Sequence, residues 1–483
     1  MLQGKDIKNI WELKNGFTHR WVEPEFIASS LKLFSFSQLS KSISEIKQKG
    51  YSFEWIMTVL LSMPFIGSGT VNSMLNGFVR HHIEAGKDTF YRLKNHSKVC
   101  WRLLLWLFAS KFKNLVNSKL KQSGQGVKCM VFDDTLLEKT GKRIEKVSRM
   151  FDHVTRRYVL GFKLLLMGYW DGVSFIPVDF SLHRELGTKK EKPFGLKKKE
   201  LKQQFKKERE KGTPAYERAC EADESKIDNA IKMFKRAISL GFVVDYLLVD
   251  SWFTCEALID AVLGVKKCTV HLIGMYKIVK TKFLYQGKKL TYNQIRNILG
   301  KPKRCRKLKL YFLEAEVEYN GKTIKLFFSK KGVNGKWKVL VCTNTRLSFV
   351  EMIEIYQIRW TIEVFFKESK QLLGLGKCQS NDFDAQIADA TITMLQHILL
   401  TMKYRIENYE SMQGLYSEIG EAAIQQRLDR RLWGLFIEIL NIIESLFDGI
   451  DEDELIKRIF TDETAREKIA RLLNVPEEQN IAA

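Results

Sequence analysis

The chain has 483 residues with 79 Lys or Arg against 56 Asp or Glu, a formal net charge of +23, and is 45% hydrophobic and 28% charged. That length and apolar content describe a soluble globular protein of more than one domain with a substantial core, and the basic excess favours polyanions, nucleic acid first and an anionic membrane surface second. Eight cysteines scattered without a CxxC pair support neither a zinc site nor a disulfide framework and indicate reduced thiols.

The opening MLQGKDIKNIWELKNG lacks an apolar core long enough for a signal peptide. The longest apolar stretches, WIMTVLLSMPFIGSG and WRLLLWLFASKF, fall short of a bilayer span and read as buried helices. No membrane partner is expected, and the expected location is the cytoplasm, on the nucleoid.

Residues 1–120 read as a helical, DNA-binding region in which aromatic and basic residues interleave. Tyr91, Arg92, Lys94, Lys98, Arg102, Lys111 and Lys113 are available to a phosphate backbone, and SFSQLSKSISEIKQKG at 35–50 is a candidate helix-turn-helix element. From 121 to 274 the period changes. CMVFDD is a short buried strand ending in Asp133 and Asp134, and YVLGFKLLLMGYWDG with VSFIPVDFSL forms a hairpin turning at Asp171 and Gly172. The charged run 184–224, with KKKELKQQFKKEREKG, reads as a solvent-exposed excursion able to lie on a nucleic-acid backbone.

ESKIDNAIKMFKRAISLGF is an amphipathic helix closed by Gly241. VVDYLLVD is a buried strand ending in Asp250, followed by the helix CEALIDAVL and the strand KKCTVHLIG, a strand-helix-strand alternation that implies a mixed sheet. Carboxylates that bind ligands sit at the carboxyl ends of strands in open α/β sheets, where Asp250 stands. Residues 275–345 then show strand periodicity and Asn-Gly turns at 320–321 and 334–335, an antiparallel β insertion rich in cations such as Lys303, Arg304, Arg306, Lys307 and Lys309. Trp337 lies near one of its turns and is a candidate for stacking on an unpaired base.

The segment 346–410 holds YQIRWTIEVFFKESK, from Tyr356 to Lys370, which contains no Gly or Pro. On one helix, at about 100° per residue, Tyr356, Arg359, Glu363 and Lys370 share an arc of roughly 60°, opposite an apolar face. A carboxylate flanked by fixed cations suits a metal ligand beside a polyanion. AQIADATITMLQHILLTMKYRIEN is a long helix packed over the sheet, and 411–483 is a helical C-terminal region offering a dimerisation surface. Together these elements predict an α/β fold, a mixed sheet flanked by helices, interrupted by the insertion and bounded by helical N- and C-terminal regions. Asp133 or Asp134, Asp250 and Glu363 brought to one cleft would repel one another unless cations neutralised them. Two Mg²⁺ ions would do so and would support in-line displacement at phosphorus.

The spacing Y-x2-R-x3-E-x6-K, carried by Tyr356, Arg359, Glu363 and Lys370, resembles the DDE transposases of bacterial insertion sequences that bear a Tyr-Arg-Glu-Lys signature. VFDDT resembles their first catalytic strand and YLLVDSWF their second, so the likeness runs over about 125–375. It implies an RNase H-like catalytic core in which Asp250, Glu363 and either Asp133 or Asp134 are catalytic and ligate Mg²⁺, with Mn²⁺ as a substitute. Asp133 is the favoured partner, and strand alternation lets only one of the two aspartates face the ions. The resemblance further implies that Tyr356, Arg359 and Lys370 grip DNA phosphates, and that Trp337 is the aromatic used where second-strand cleavage passes through a DNA hairpin. The expected activity is cut-and-paste transposition on double-stranded DNA, the inverted-repeat ends and the target, by a homodimer in the DNA complex. A metal-dependent nuclease without strand transfer and an inactive DNA-binding regulator are the alternatives.

Overall fold

A computed structural model describes residues 23–425 apart from 47–48, 77–82, 120–125, 154, 188, 278–280 and 408, together with 461, 462 and 464. Among the described residues six α-helices precede the first strand: α1 (Glu25–Phe34), α2 (Phe36–Ser44), α3 (Phe53–Ser62), α4 (Val71–Asn76), α5 (Lys87–Lys94) and α6 (Trp101–Lys119). Next come β1 (Cys129–Glu138), β2 (Ser148–Asp152), β3 (Arg157–Trp170) and β4 (Phe175–His183). The helices α7 (Lys198–Gln203), α8 (Pro214–Glu221) and α9 (Lys226–Ser239) lead to β5 (Tyr246–Val249), α10 (Glu256–Leu263) and β6 (His271–Met275). The insertion supplies β7 (Lys282–Tyr285), β8 (Lys288–Thr291), α11 (Tyr292–Leu299), β9 (Lys303–Cys305), β10 (Leu310–Tyr319), β11 (Lys322–Lys331) and β12 (Lys338–Cys342). The described part closes with α12 (Phe349–Gln357), α13 (Trp360–Gln371), α14 (Phe383–Glu407) and a helical stretch at 412–425.

One half of the sheet runs β4-β3-β1-β5-β6, with β4, β3 and β1 antiparallel and β1, β5 and β6 parallel. This is the mixed sheet expected from the alternation of elements. The insertion does not stand apart: β12 pairs antiparallel with β6, so β7 to β12 extend the same sheet to twelve strands. The hairpin turn falls at Asp171 and Gly172, where the carboxylate accepts the N–H groups of Val173 and Ser174 and Gly172 takes a φ of +103°. The turn at 320–321 also has both φ values positive, as a two-residue hairpin loop requires.

The core lies between sheet and helices. α14 is buried on nearly every side, as its apolar residues on all faces demand. It packs on α6 and β4, and the Gln396 side-chain amide donates to the carbonyls of Leu60 and Leu61, satisfying the C-terminal end of α3.

The structure departs from the sequence reading at several places, among them Lys94 and Arg102, which are buried in ion pairs with Asp389 and with Asp179 and Glu221 rather than open to a phosphate backbone. β1 runs on to Glu138, so Asp133 and Asp134 lie in mid-strand, because ten residues find partners on β3. β2, unexpected from the sequence, forms on the far edge of β3. The excursion 184–224 is not solvated throughout: Arg209, Arg218 and Glu221 are buried in ion pairs that tie it to the core. The span Tyr356–Lys370 is two helices rather than one, since Ile358, Arg359, Thr361 and Ile362 donate to the third residue back and tighten the chain into a 3₁₀ turn. Residue 35, at the start of the helix-turn-helix candidate, is a left-handed link between α1 and α2. Most of the predicted C-terminal region lies outside the described residues.

Candidate active site

The register of β1 on β5 decides which carboxylates meet. Val131 pairs with Leu248, so the same parallel register carried two residues further sets Asp133 beside Asp250. Asp250 ends its strand by capping a turn: its Oδ1 accepts the N–H of Trp252 at 2.9 Å and of Phe253 at 3.3 Å, while the Thr254 hydroxyl donates to its carbonyl at 2.8 Å. These bonds fix the carboxylate at the carboxyl edge of the sheet.

Glu363 approaches Asp133 from α13. Arg359, in the tight turn between α12 and α13, donates from Nη1 to Asp133 at 2.8 Å and from Nη2 to Glu363 at 2.6 Å. The guanidinium therefore bridges two carboxylates that are 230 positions apart in the chain. Asp133 also accepts the Asp134 N–H at 2.8 Å. Asp134 faces other partners, Lys226 at 2.6 Å and Lys163 at 3.6 Å, as alternation along a strand requires.

The remaining members of the series bind the protein itself. The Tyr356 hydroxyl donates to the Val249 carbonyl at 3.1 Å, and Lys370 donates to the Thr135 hydroxyl at 2.7 Å and the Leu136 carbonyl at 3.0 Å. Tyr356, Arg359 and Lys370 thus lash α12 and α13 along β5 and β1. Trp337 is half-buried just before β12, with the Lys330 ammonium 5.0 Å and the Arg296 guanidinium 5.7 Å from its ring centroid.

Burial sets the electrostatics. Desolvation pushes the Asp133 carboxyl up to about 7 against the opposing pull of Arg359, with Asp250 and Asp134 adding repulsion. Burial raises the Asp250 carboxyl as well, the backbone donors of its turn working in the other direction. It also pushes the Tyr356 phenol up to about 12 and lowers the Lys370 amine. A cleft that disfavours its own carboxylates gains from a bound cation, and an all-oxygen donor set fits a hard divalent ion such as Mg²⁺ or Mn²⁺. Among the described residues no three acidic, His or Cys side chains are gathered into one ion-holding cluster. The guanidinium of Arg359 takes the place of positive charge between Asp133 and Glu363.

Lys163 and Lys226 were not singled out from the sequence. Lys226 carried a signal: it opens α9, where a cation opposes the helix dipole, and its ion pair with Asp134 accounts for that placement. Lys163, on a strand, carried none.

Residues 59–276 match the family model described as DDE superfamily endonuclease, and residues 219–399 match the one described as Transposase DDE domain. No curated protein matches the chain. Asp133 falls within the first match, Glu363 within the second and Asp250 within both, and together the matches support a DDE transposase.

Proposed function

We propose that this chain is a cut-and-paste DNA transposase that cleaves the ends of its element and joins the freed 3′-hydroxyls to target DNA. The observation that supports it best is the bridge of Arg359 between Asp133 and Glu363, beside a strand pair whose register brings up Asp250. In this reading Asp133, Asp250 and Glu363 hold two Mg²⁺ ions, with Mn²⁺ able to substitute. Such ions, when bound, activate the attacking oxygen and offset charge on the leaving 3′-oxygen.

The protein's own residues do the rest. Asp134, held by Lys226 and Lys163, buttresses β1 rather than ligating. Arg359 exchanges a carboxylate for a phosphate oxygen of the DNA, to which its planar fork is equally suited. Lys370 and Tyr356 hold the two helices in register with the strands and complete the phosphate grip at the DNA end. The finer form of the reaction has a homodimer holding both inverted-repeat ends and a DNA hairpin on the second strand, with Trp337 stacking on an unpaired base.

The test is incubation with DNA carrying the element's own flanking ends in Mg²⁺ or Mn²⁺, with products read on a denaturing gel. Asp250→Ala and Glu363→Ala are expected to abolish metal-dependent cleavage and to leave DNA binding largely intact. Near-wild-type cleavage by either variant would falsify the assignment. Joined products distinguish a transposase from a nuclease that only cuts.

A further inference from the structure

Trp252 stands two residues beyond Asp250, and its backbone N–H donates to the Asp250 carboxylate at 2.9 Å, so its ring is tethered to the rim of the acidic cleft. Trp252 is 58% exposed, and its ring is not isolated. The His153 ring lies 6.4 Å from it, centroid to centroid, Phe151 lies 5.1 Å from His153, and Tyr158 lies 5.3 Å from Phe151. Phe151 lies in β2 and His153 just past its end, and their ring contact puts them side by side. Tyr158, which is 66% exposed, is the cross-strand partner of Phe151 on β3. Four rings thus form a strip from the cleft along the β2–β3 hairpin.

Cations fringe the strip. The Lys277 ammonium lies 4.0 Å and that of Lys226 5.9 Å from the Trp252 centroid, and Arg156 and Arg157 are exposed at the hairpin. The one carboxylate in this part of the hairpin, Asp152, accepts the Thr155 N–H at 3.2 Å and hydroxyl at 2.6 Å. Exposed rings interleaved with cations match the needs of unpaired nucleotides, whose bases offer free flat faces and whose phosphates follow the positive charge. Paired bases spend those faces on one another.

We propose that this strip, with Trp252 at its inner end, binds unpaired bases of a DNA strand that leaves the acidic cleft; the proposal rests on the DNA-cleaving reading above. An exposed cation–π contact is weaker than base–aromatic stacking. An incoming base therefore displaces Lys277 from the ring and leaves its ammonium beside the adjoining phosphate.

The test uses the full-length protein without divalent ions, at one fixed salt concentration, and two fluorescein-labelled probes: a short blunt duplex and the same duplex with an oligo-dT tail. The tail is expected to tighten binding by the wild type, and Trp252→Ala to lower affinity for the tailed probe by ~5- to 100-fold with affinity for the blunt probe unchanged. Trp252→Phe should keep most of the gain and Tyr158→Ala, at the outer end, should lose part of it. A tail that adds nothing for the wild type overturns the proposal, as does a Trp252→Ala variant that loses tailed and blunt binding equally or keeps the full gain. A wild-type protein that binds neither probe overturns the DNA-cleaving reading itself.

Discussion

Arg359 holds two carboxylates at once, Asp133 largely withdrawn from water and Glu363 about one-third exposed, so truncating it leaves the Asp133 carboxylate, above all, without its charged partner. Arg359→Gln is expected to lower stability by about 2 kcal/mol in metal-free buffer, the usual scale for losing hydrogen bonds to charged groups. If a divalent ion takes the place of the guanidinium, added Mn²⁺ should restore most of that loss, because an ion bound only by the folded state stabilises it. Chemical denaturation with and without Mn²⁺ measures both. A deficit unchanged by Mn²⁺ would mean that the ion and Arg359 do not share the site. The four-residue spacing announced that Arg359 and Glu363 belong together, but the partner of Arg359 across the cleft could not be read from it. That partner depends on which face of β1 meets α13.

At the scale of elements, the position of Asp250 depends on how closely β6 approaches the turn after β5. A Cβ at Gly274 would lie 2.2 Å from the Thr254 Oγ1 and 2.8 Å from Val249 Cγ2, and that same Thr254 hydroxyl anchors the Asp250 carbonyl. Gly274→Ala must therefore push the turn off its place. It is expected to depress cleavage far more than it lowers stability, since a shift of about 1 Å in a reacting group costs on the order of 100-fold. Parallel measurement of cleavage rate and unfolding midpoint decides the point, and an active Gly274→Ala protein would show that the turn does not fix Asp250. Period and turn residues made the hairpin at Asp171, the strand before Asp250 and α14 legible, since each is specified by a local pattern. The break at Ile358 and Arg359 was not, because the stretch holds neither Gly nor Pro and its dihedrals stay helical while its hydrogen bonds shorten to the third residue back.

Over the whole molecule, remote segments are held by buried charge. Arg209 donates to Glu145 at 2.8 and 2.6 Å and to Asp384 at 2.9 Å, joining the charged excursion to the loop after β1 and to the start of α14. Arg102 of α6 likewise pairs with Asp179 of β4 and Glu221 of α8. Removing one partner of such a network strands the others without solvent, so Arg209→Met should cost about 3–5 kcal/mol in chemical denaturation. A loss below about 1 kcal/mol, the scale of an exposed ion pair, would show that the excursion is not stapled to the core through Arg209. Among the described residues no helix is long and apolar enough to cross a membrane, in line with the short apolar runs of the sequence.

What the sequence determined by itself was local: strand and helix periods, turns at Gly and Asn-Gly, the basic surplus, and a spacing of Tyr, Arg, Glu and Lys that resembles a known catalytic helix. The tertiary structure alone decided that Asp133 rather than Asp134 meets Arg359, that the excursion is pinned by buried ions, and that Trp252 heads a row of rings. Pattern within a segment follows from neighbouring backbone and side chains, whereas pairing between carboxylates and cations hundreds of residues apart depends on strand register and packing, which no local stretch encodes.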